Sequence, residues 1–300
     1  MKNLKFLSLL VFAFVFFTSC DKKESEENKP EESKPVATAE PRIDLIRKVI
    51  RYDASGGIED SVIFQYDSQN RVSQIEYGSV VNGNFQNKVV YVDSLNQFSK
   101  KRVEKNYKLE TNGQYKLLFT MFYNLNSASK IVSISRMNGN NLTDKQYNVN
   151  YDSLDYAKSI TEIPVKSGSW FSDINFTTVS SNRISARTHC DPCGHDLVTY
   201  EYYSSPYNHN LFTGIYEEGF YLFWNTTLIN QLDFRNSLFG KRSSNLVKRQ
   251  IKDIAQTGTT EINYEYEFNS LGLVSKIKTA TISFTNGSTP MATKYEIFYY

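Results

Sequence analysis

The chain reads as all-β: a long antiparallel up-and-down meander, curved or closed into a barrel-like sheet and not membrane-spanning. Three observations predict this. The 300 residues hold 21 Tyr and 20 Phe, with Asn, Ser and Thr throughout, a composition that favours half-buried pleated strands. A turn-forming unit recurs along the chain. Between its copies lie Asn-Gly pairs, the strongest short hairpin signal. No long helical periodicity appears beyond the first twenty residues.

The recurring unit begins at Tyr66-Asp67-Ser68-Gln69-Asn70-Arg71-Val72 and returns at Val92-Asp93-Ser94-Leu95-Asn96 and Phe268-Asn269-Ser270-Leu271-Gly272. Looser copies start at Tyr123-Asn124 and Tyr151-Asp152. An aromatic or β-branched residue ends a strand. The Asp or Asn after it can bond backbone amides two residues on and so starts a turn. Asn70, Asn96 and Gly272 stand where a hairpin loop of four to five residues needs positive φ. The Asn-Gly pairs at 82–83, 112–113, 138–139 and 286–287 mark the opposite ends of the hairpins. Between turns the side chains alternate: Val62, Phe64 and Tyr66 share one face, and Ser61 and Gln65 the other.

Strung together, these units predict about 14 to 18 strands, too many to stay flat and open. The chain ends on Tyr300, and an aromatic last residue is common in outer-membrane barrels. Spanning strands need one continuous apolar face, however, and Lys100–Lys108 carries Lys101, Arg102, Glu104, Lys105 and Lys108 on both faces. The basic runs 100–102, 241–242 and 248–249 read as solvated strand faces.

The N-terminus is a separate unit. Lys2 and Lys5 precede a short apolar stretch ending Phe17-Thr18-Ser19-Cys20. It is shorter than the roughly 20 residues of a spanning helix and has the form of a secretory signal. Phe17–Cys20 resembles a lipobox, which implies cleavage before Cys20 and a diacylglycerol on its thiol. Phe17 departs from the usual Leu. Residues 21–40 are charged, proline-bearing and free of aromatics, a composition that cannot offset its ordering entropy. Expected domains are a signal peptide at 1–19, a lipidated cysteine and acidic tether at 20–40, and an all-β domain at 41–300. Glu24, Glu26 and Glu27 resemble a surface-export signal of Bacteroidetes lipoproteins.

Loss of Lys2 and Lys5 leaves 34 − 2 = 32 basic side chains against 32 acidic ones. A near-neutral domain is a poor partner for nucleic acid. Gly-x-Ser-x-Gly, phosphate-loop and His-Glu-x-x-His motifs are absent, and the carboxylates are scattered, so no catalytic residue is named.

One segment stands apart: His189-Cys190-Asp191-Pro192-Cys193-Gly194-His195. Cys190 and Cys193 fit a disulfide closing a tight loop in an oxidising compartment. With His189 and His195 they also form a crowded zinc-type ligand set, His209 being the remaining histidine. A redox-active pair is the third reading, though it calls for a helix after the second cysteine and Leu197–Tyr203 reads as strand. Trp170, Trp224, Tyr200, Tyr202 and Tyr203 suit sugar stacking as well as core packing. Asp60-Ser61-Val62, Asp93-Ser94-Leu95 and Asp152-Ser153-Leu154 resemble a Bacteroidetes O-glycosylation motif.

The lipobox, tether and repeated units together resemble Bacteroidetes outer-envelope lipoproteins of unknown function with a porin-like all-β domain. The turns are also faintly like the Tyr-Asp repeats of shell toxins. The resemblance implies an outer-membrane lipoprotein, facing the cell surface or the periplasm, and brings no catalytic residues. The expected role is non-catalytic binding of a glycan, a peptide or an envelope protein. Alternatives are a structural subunit pairing by strand addition and a metal-dependent or glycan-acting hydrolase. No cofactor is expected beyond the zinc alternative.

Overall fold

The computed structural model describes residues 45–95, 100–165, 172–190, 194–207, 243–254, 258–284 and 291–300. The signal, Cys20, the tether, Trp170, Cys193, His209 and Trp224 lie outside them, as do Asn96, Lys241-Arg242 and Asn286-Gly287.

Sixteen strands close into one antiparallel barrel. They are β1 (Ile46–Tyr52), β2 (Ile58–Tyr66), β3 (Val72–Val81), β4 (Asn84–Leu95), β5 (Lys100–Leu109), β6 (Tyr115–Leu125), β7 (Ile131–Asn138) and β8 (Thr143–Tyr151), followed by β9 (Ala157–Ile163), β10 (Ser172–Val179), β11 (Asn182–Cys190), β12 (Gly194–Pro206), β13 (Asn245–Ile254), β14 (Gly258–Phe268), β15 (Val274–Ser283) and β16 (Met291–Tyr299). Each strand pairs with its sequence neighbours, and β1 pairs with β16 through Val49 opposite Ile297. The expected meander is therefore a closed barrel.

Local turn chemistry explains the hairpins. Seven described turns share one bond pattern, starting at Asp53, Asp67, Glu110, Asn126, Asn138, Asp152 and Asn269. In each, the first residue's N–H donates to the carbonyl four residues on, and the fourth residue's N–H donates back. That fourth residue is left-handed every time: Gly56, Asn70, Gly113, Ser129, Asn141, Asp155 and Gly272. In most of them the starting side chain also accepts from the backbone, as Asp67 Oδ1 does from Gln69 and Arg71 at 2.8 and 2.9 Å.

The structure corrects the expected register at three turns. The third copy of the repeat turns at Asn126 rather than Asn124. Asn112-Gly113 and Asn138-Gly139 fall within longer turns, while Asn82-Gly83 alone of the described pairs is a two-residue turn with both φ positive. A second two-residue turn is built of Ser180-Ser181, at φ 48° and 65°.

One face of every strand points into the barrel. Val49, Val62, Phe64, Ile75, Val89, Met121, Ile134, Tyr147, Ile160, Ile174, Val198, Tyr264, Val274 and Ile277 form a single buried cluster on that face. Ile75, Val274 and Ile277 are fully buried on this face. The outer face is mixed, with exposed Val92, Ile163 and Phe298 among charged side chains. It carries ion pairs such as Arg249 with Glu201 at 2.9 Å, Lys278 with Glu267 at 2.8 Å and Lys294 with Glu296 at 2.6 Å.

The basic run at 100–102 departs from its expected solvated position. Arg102 is buried in the lumen, where its guanidinium donates to the Val72 carbonyl at 2.7 Å and sits 4.4 Å from the Tyr91 ring. Lys101 is exposed on the outer face, and so is Lys248.

Candidate functional site

The two ends of the lumen differ in chemistry. Turns at Asp67, Asn126, Asp152 and Asn269 close one end, together with the start of β1. There the lumen is tyrosine-rich, and the buried Arg102 and Arg183 lie at the same end, beside the starts of β5 and β11. Phenols on even-numbered strands reach back to main-chain carbonyls of the preceding strand: Tyr66 to Ile46 at 2.8 Å, Tyr151 to Ile131 at 2.7 Å, Tyr266 to Val247 at 2.7 Å and Tyr299 to Val274 at 2.8 Å.

Toward the Asn82-Gly83 end the same inward face becomes polar. Register carries the alternation from Val89 to Asn106 and from Tyr91 to Glu104, so the inward side chains of β5 are Arg102, Glu104 and Asn106. All three are buried. The Glu104 carboxylate accepts from the Tyr123 phenol at 2.7 Å and from the Asn106 amide at 2.8 Å. Burial, with the Glu104 charge adding to it, pushes the nearby Tyr77 phenol above its ordinary range.

Nearer the mouth, water reaches the ionisable groups. Inward-facing Arg51 is bonded to Asp60 at 2.6 Å, with side chains 30% and 21% exposed. On the opposite part of the wall Lys145 pairs with Glu162 at 3.3 Å, at 36% and 11% exposed. Lys252, inward on β13, is held below its ordinary value by burial. Toward the mouth the lumen therefore carries mixed, partly hydrated charge. Such a mouth offers donors and acceptors side by side rather than a field of one sign.

These lumen residues were not singled out in the sequence. The residues that were lie elsewhere. Tyr200 is buried in the core cluster, Tyr202 donates to the Arg183 carbonyl, and Tyr203 donates to the Tyr264 carbonyl at 2.8 Å while its ring meets Tyr266 edge-on. His189 lies on the outer face, its Nδ1 3.4 Å from Asp173. In register His189 stands opposite His195, and Cys190 opposite Gly194. Cys193, the proposed disulfide partner and zinc ligand, is outside the described residues. Ser61 is buried within β2, whereas Ser153 sits on an exposed turn.

Comparison with known proteins places the architecture. The chain is similar to a porin-like protein from Bacteroides uniformis known from its crystal structure. The TM-score is 0.53 at 14% identity, over 84% of this chain and 96% of that one. A porin-like protein from Bacteroides vulgatus aligns with a TM-score of 0.44 at 10% identity, over 85% and 98% of the two chains. No protein-family profile matches the chain, and no curated protein matches it in sequence. The expected likeness to porin-like all-β proteins holds at the level of fold.

Proposed function

We propose that this chain is a lipid-anchored, water-facing barrel of the outer envelope that binds a glycan in the polar mouth of its lumen without transforming it. The observation that carries this reading is the mouth of the lumen, where part-exposed Arg51, Asp60, Lys145 and Glu162 face inward. Sugar hydroxyls donate and accept at once, so they match interleaved guanidinium, ammonium and carboxylate groups. A polyanion would call for one sign of charge.

The outer face supports a barrel that stands in water. A spanning barrel presents a continuous apolar band to lipid, and charges at its middle cost about 2–4 kcal/mol each. Here Arg249, Lys276, Lys278 and Glu267 occupy outward positions. Anchoring through Cys20, with residues 21–40 as tether, is part of the proposal. Closure of β1 on β16 removes the free sheet edges on which assembly by strand addition depends.

A glycan array probed with the full chain tests the reading. Binding is expected to be lost in Arg51→Ala and Lys145→Ala and kept in Lys276→Ala on the outer wall. Glycan binding that survives both lumen substitutions, or no binding to any glycan, would overturn it.

A further inference from the structure

The seven like-built turns fall at both ends of the barrel, so one position can be compared between the ends. Their shared bond pattern needs no side chain at the third residue, which stands at the tip. At the mouth that residue is Ser55, Asn112 or Asn140, and Ser55 and Asn112 accept or donate within their own turns. At the end that holds the Asp67 turn it is Gln69, Ala128, Leu154 or Leu271. The two leucines are 64% and 54% exposed, and neither belongs to the core cluster. Val179, Phe268 and Tyr300 are exposed at the same end.

Leu154 and Leu271 stand on different hairpins, β8–β9 and β14–β15. A small ligand cannot touch both tips, whereas a flat apolar partner can. Exposed apolar side chains occur at the mouth as well, Ile58, Leu142 and Met291 among them, but at or next to strand starts rather than on the tips. What chooses between the ends is the entry of the chain. Leu45, the first described residue, bonds Tyr300 at the leucine end, and it follows Cys20 by 45 − 20 = 25 positions.

We infer that this end of the barrel rests on a lipid bilayer, with Leu154 and Leu271 entering the boundary between headgroups and acyl chains. The mouth then opens away from the membrane. The inference rests on the anchoring through Cys20 proposed above. The tips suit a medium poorer in water because their amides are already bonded: Leu154 N–H donates to Asp152 Oδ1 at 2.8 Å, and Leu271 N–H to Asn269 Oδ1 at 2.9 Å. Apolar side chains held at the headgroup boundary add to the hold of an acyl anchor without any strand crossing the bilayer. Tyr300 at the rim has the amphipathic ring that favours this depth.

The test is hydrogen exchange, read by mass spectrometry, on the acyl-bearing full chain bound to phosphatidylcholine vesicles and on the Cys20→Ser chain in buffer. Turns 152–156 and 269–273 are expected to exchange at least about tenfold more slowly on vesicles, and turns 53–57 and 138–142 at an unchanged rate. Leu154→Ser with Leu271→Ser should abolish that slowing while the chain still floats with the vesicles. Flotation without slowing at these turns, equal slowing at both ends, or slowing that survives both serines would overturn the inference and leave the anchor standing. A mature chain that carries no acyl mass and does not float would overturn the anchoring itself, and this inference with it.

Discussion

The Tyr151 phenol donates to the main-chain carbonyl of Ile131 at 2.7 Å, bridging the end of β8 to the start of β7. Tyr66 stands in the same relation to Ile46, at 2.8 Å. The aromatic residue of the Tyr-Asp repeat thus does more than end a strand. It satisfies a carbonyl of the preceding strand where the ladder gives way to a turn. Tyr151→Phe keeps the ring and leaves that carbonyl without its donor. The expected cost is about 0.5–1.5 kcal/mol, the net worth of one such bond. Urea denaturation of Tyr151→Phe and Tyr66→Phe checks it, and equal midpoints for variant and parent would dismiss the role.

The Asp67 turn has a pH signature. Burial works against its ionisation, but bonds from the Arg71 backbone, the Arg71 guanidinium and the Gln69 backbone outweigh it and hold the carboxyl below its ordinary value. A folded-state value below the unfolded one means stabilisation that is complete above about pH 4 and lost as pH falls through the lower, folded value. Asn126, Asn138 and Asn269 fill the same position elsewhere with no charge. Asp67→Asn should therefore keep the turn and reduce this acid-dependent contribution. Asp67→Ala should lose roughly 1–2 kcal/mol at neutral pH. Thermal melts of the three proteins from pH 2.5 to 7 separate these outcomes.

Ile297 on the last strand packs opposite Val49 on the first, and both are buried. Closure makes a terminal strand equivalent to an inner one. Ile297→Ala is expected to cost about 2–5 kcal/mol, as does Ile160→Ala in mid-barrel. Amides of β1 and β16 should resist hydrogen exchange as long as those of β7 and β8. Rapid exchange confined to β1 and β16 would mean that the ring opens at this seam in solution.

Much of this fold was legible in the sequence because its turns are set by local chemistry. Asp67 and Asn70 bring the bond acceptor and the left-handed residue within four positions of each other. Ser180-Ser181 escaped because neither serine favours positive φ, and the pairing of Val179 with Asn182 imposes it. The Asn124-for-Asn126 slip came from two equally good turn starters two residues apart. Closure was open because β1 and β16 meet across the whole length of the domain, and no local motif encodes that. The lumen charges were the least legible. Glu104 and Arg102 alternate with outward Lys101 and Lys105, so either face of β5 could have been the solvated one. Only the register from Val89 and Tyr91 fixes which face is inside. Asp173 was missed beside His189 because their adjacency is a product of strand pairing, not of spacing.

An even number of strands returns the chain to the end at which it started. The Tyr300 N–H donates to the Leu45 carbonyl at 3.0 Å, at the end of the barrel that holds the Asp67 turn. A short peptide joining these two residues would make the barrel a circle, and a cut at the exposed Asn82-Gly83 turn would give it new ends at the mouth. The order in which the strands are synthesised is thus separable from the order in which they stand.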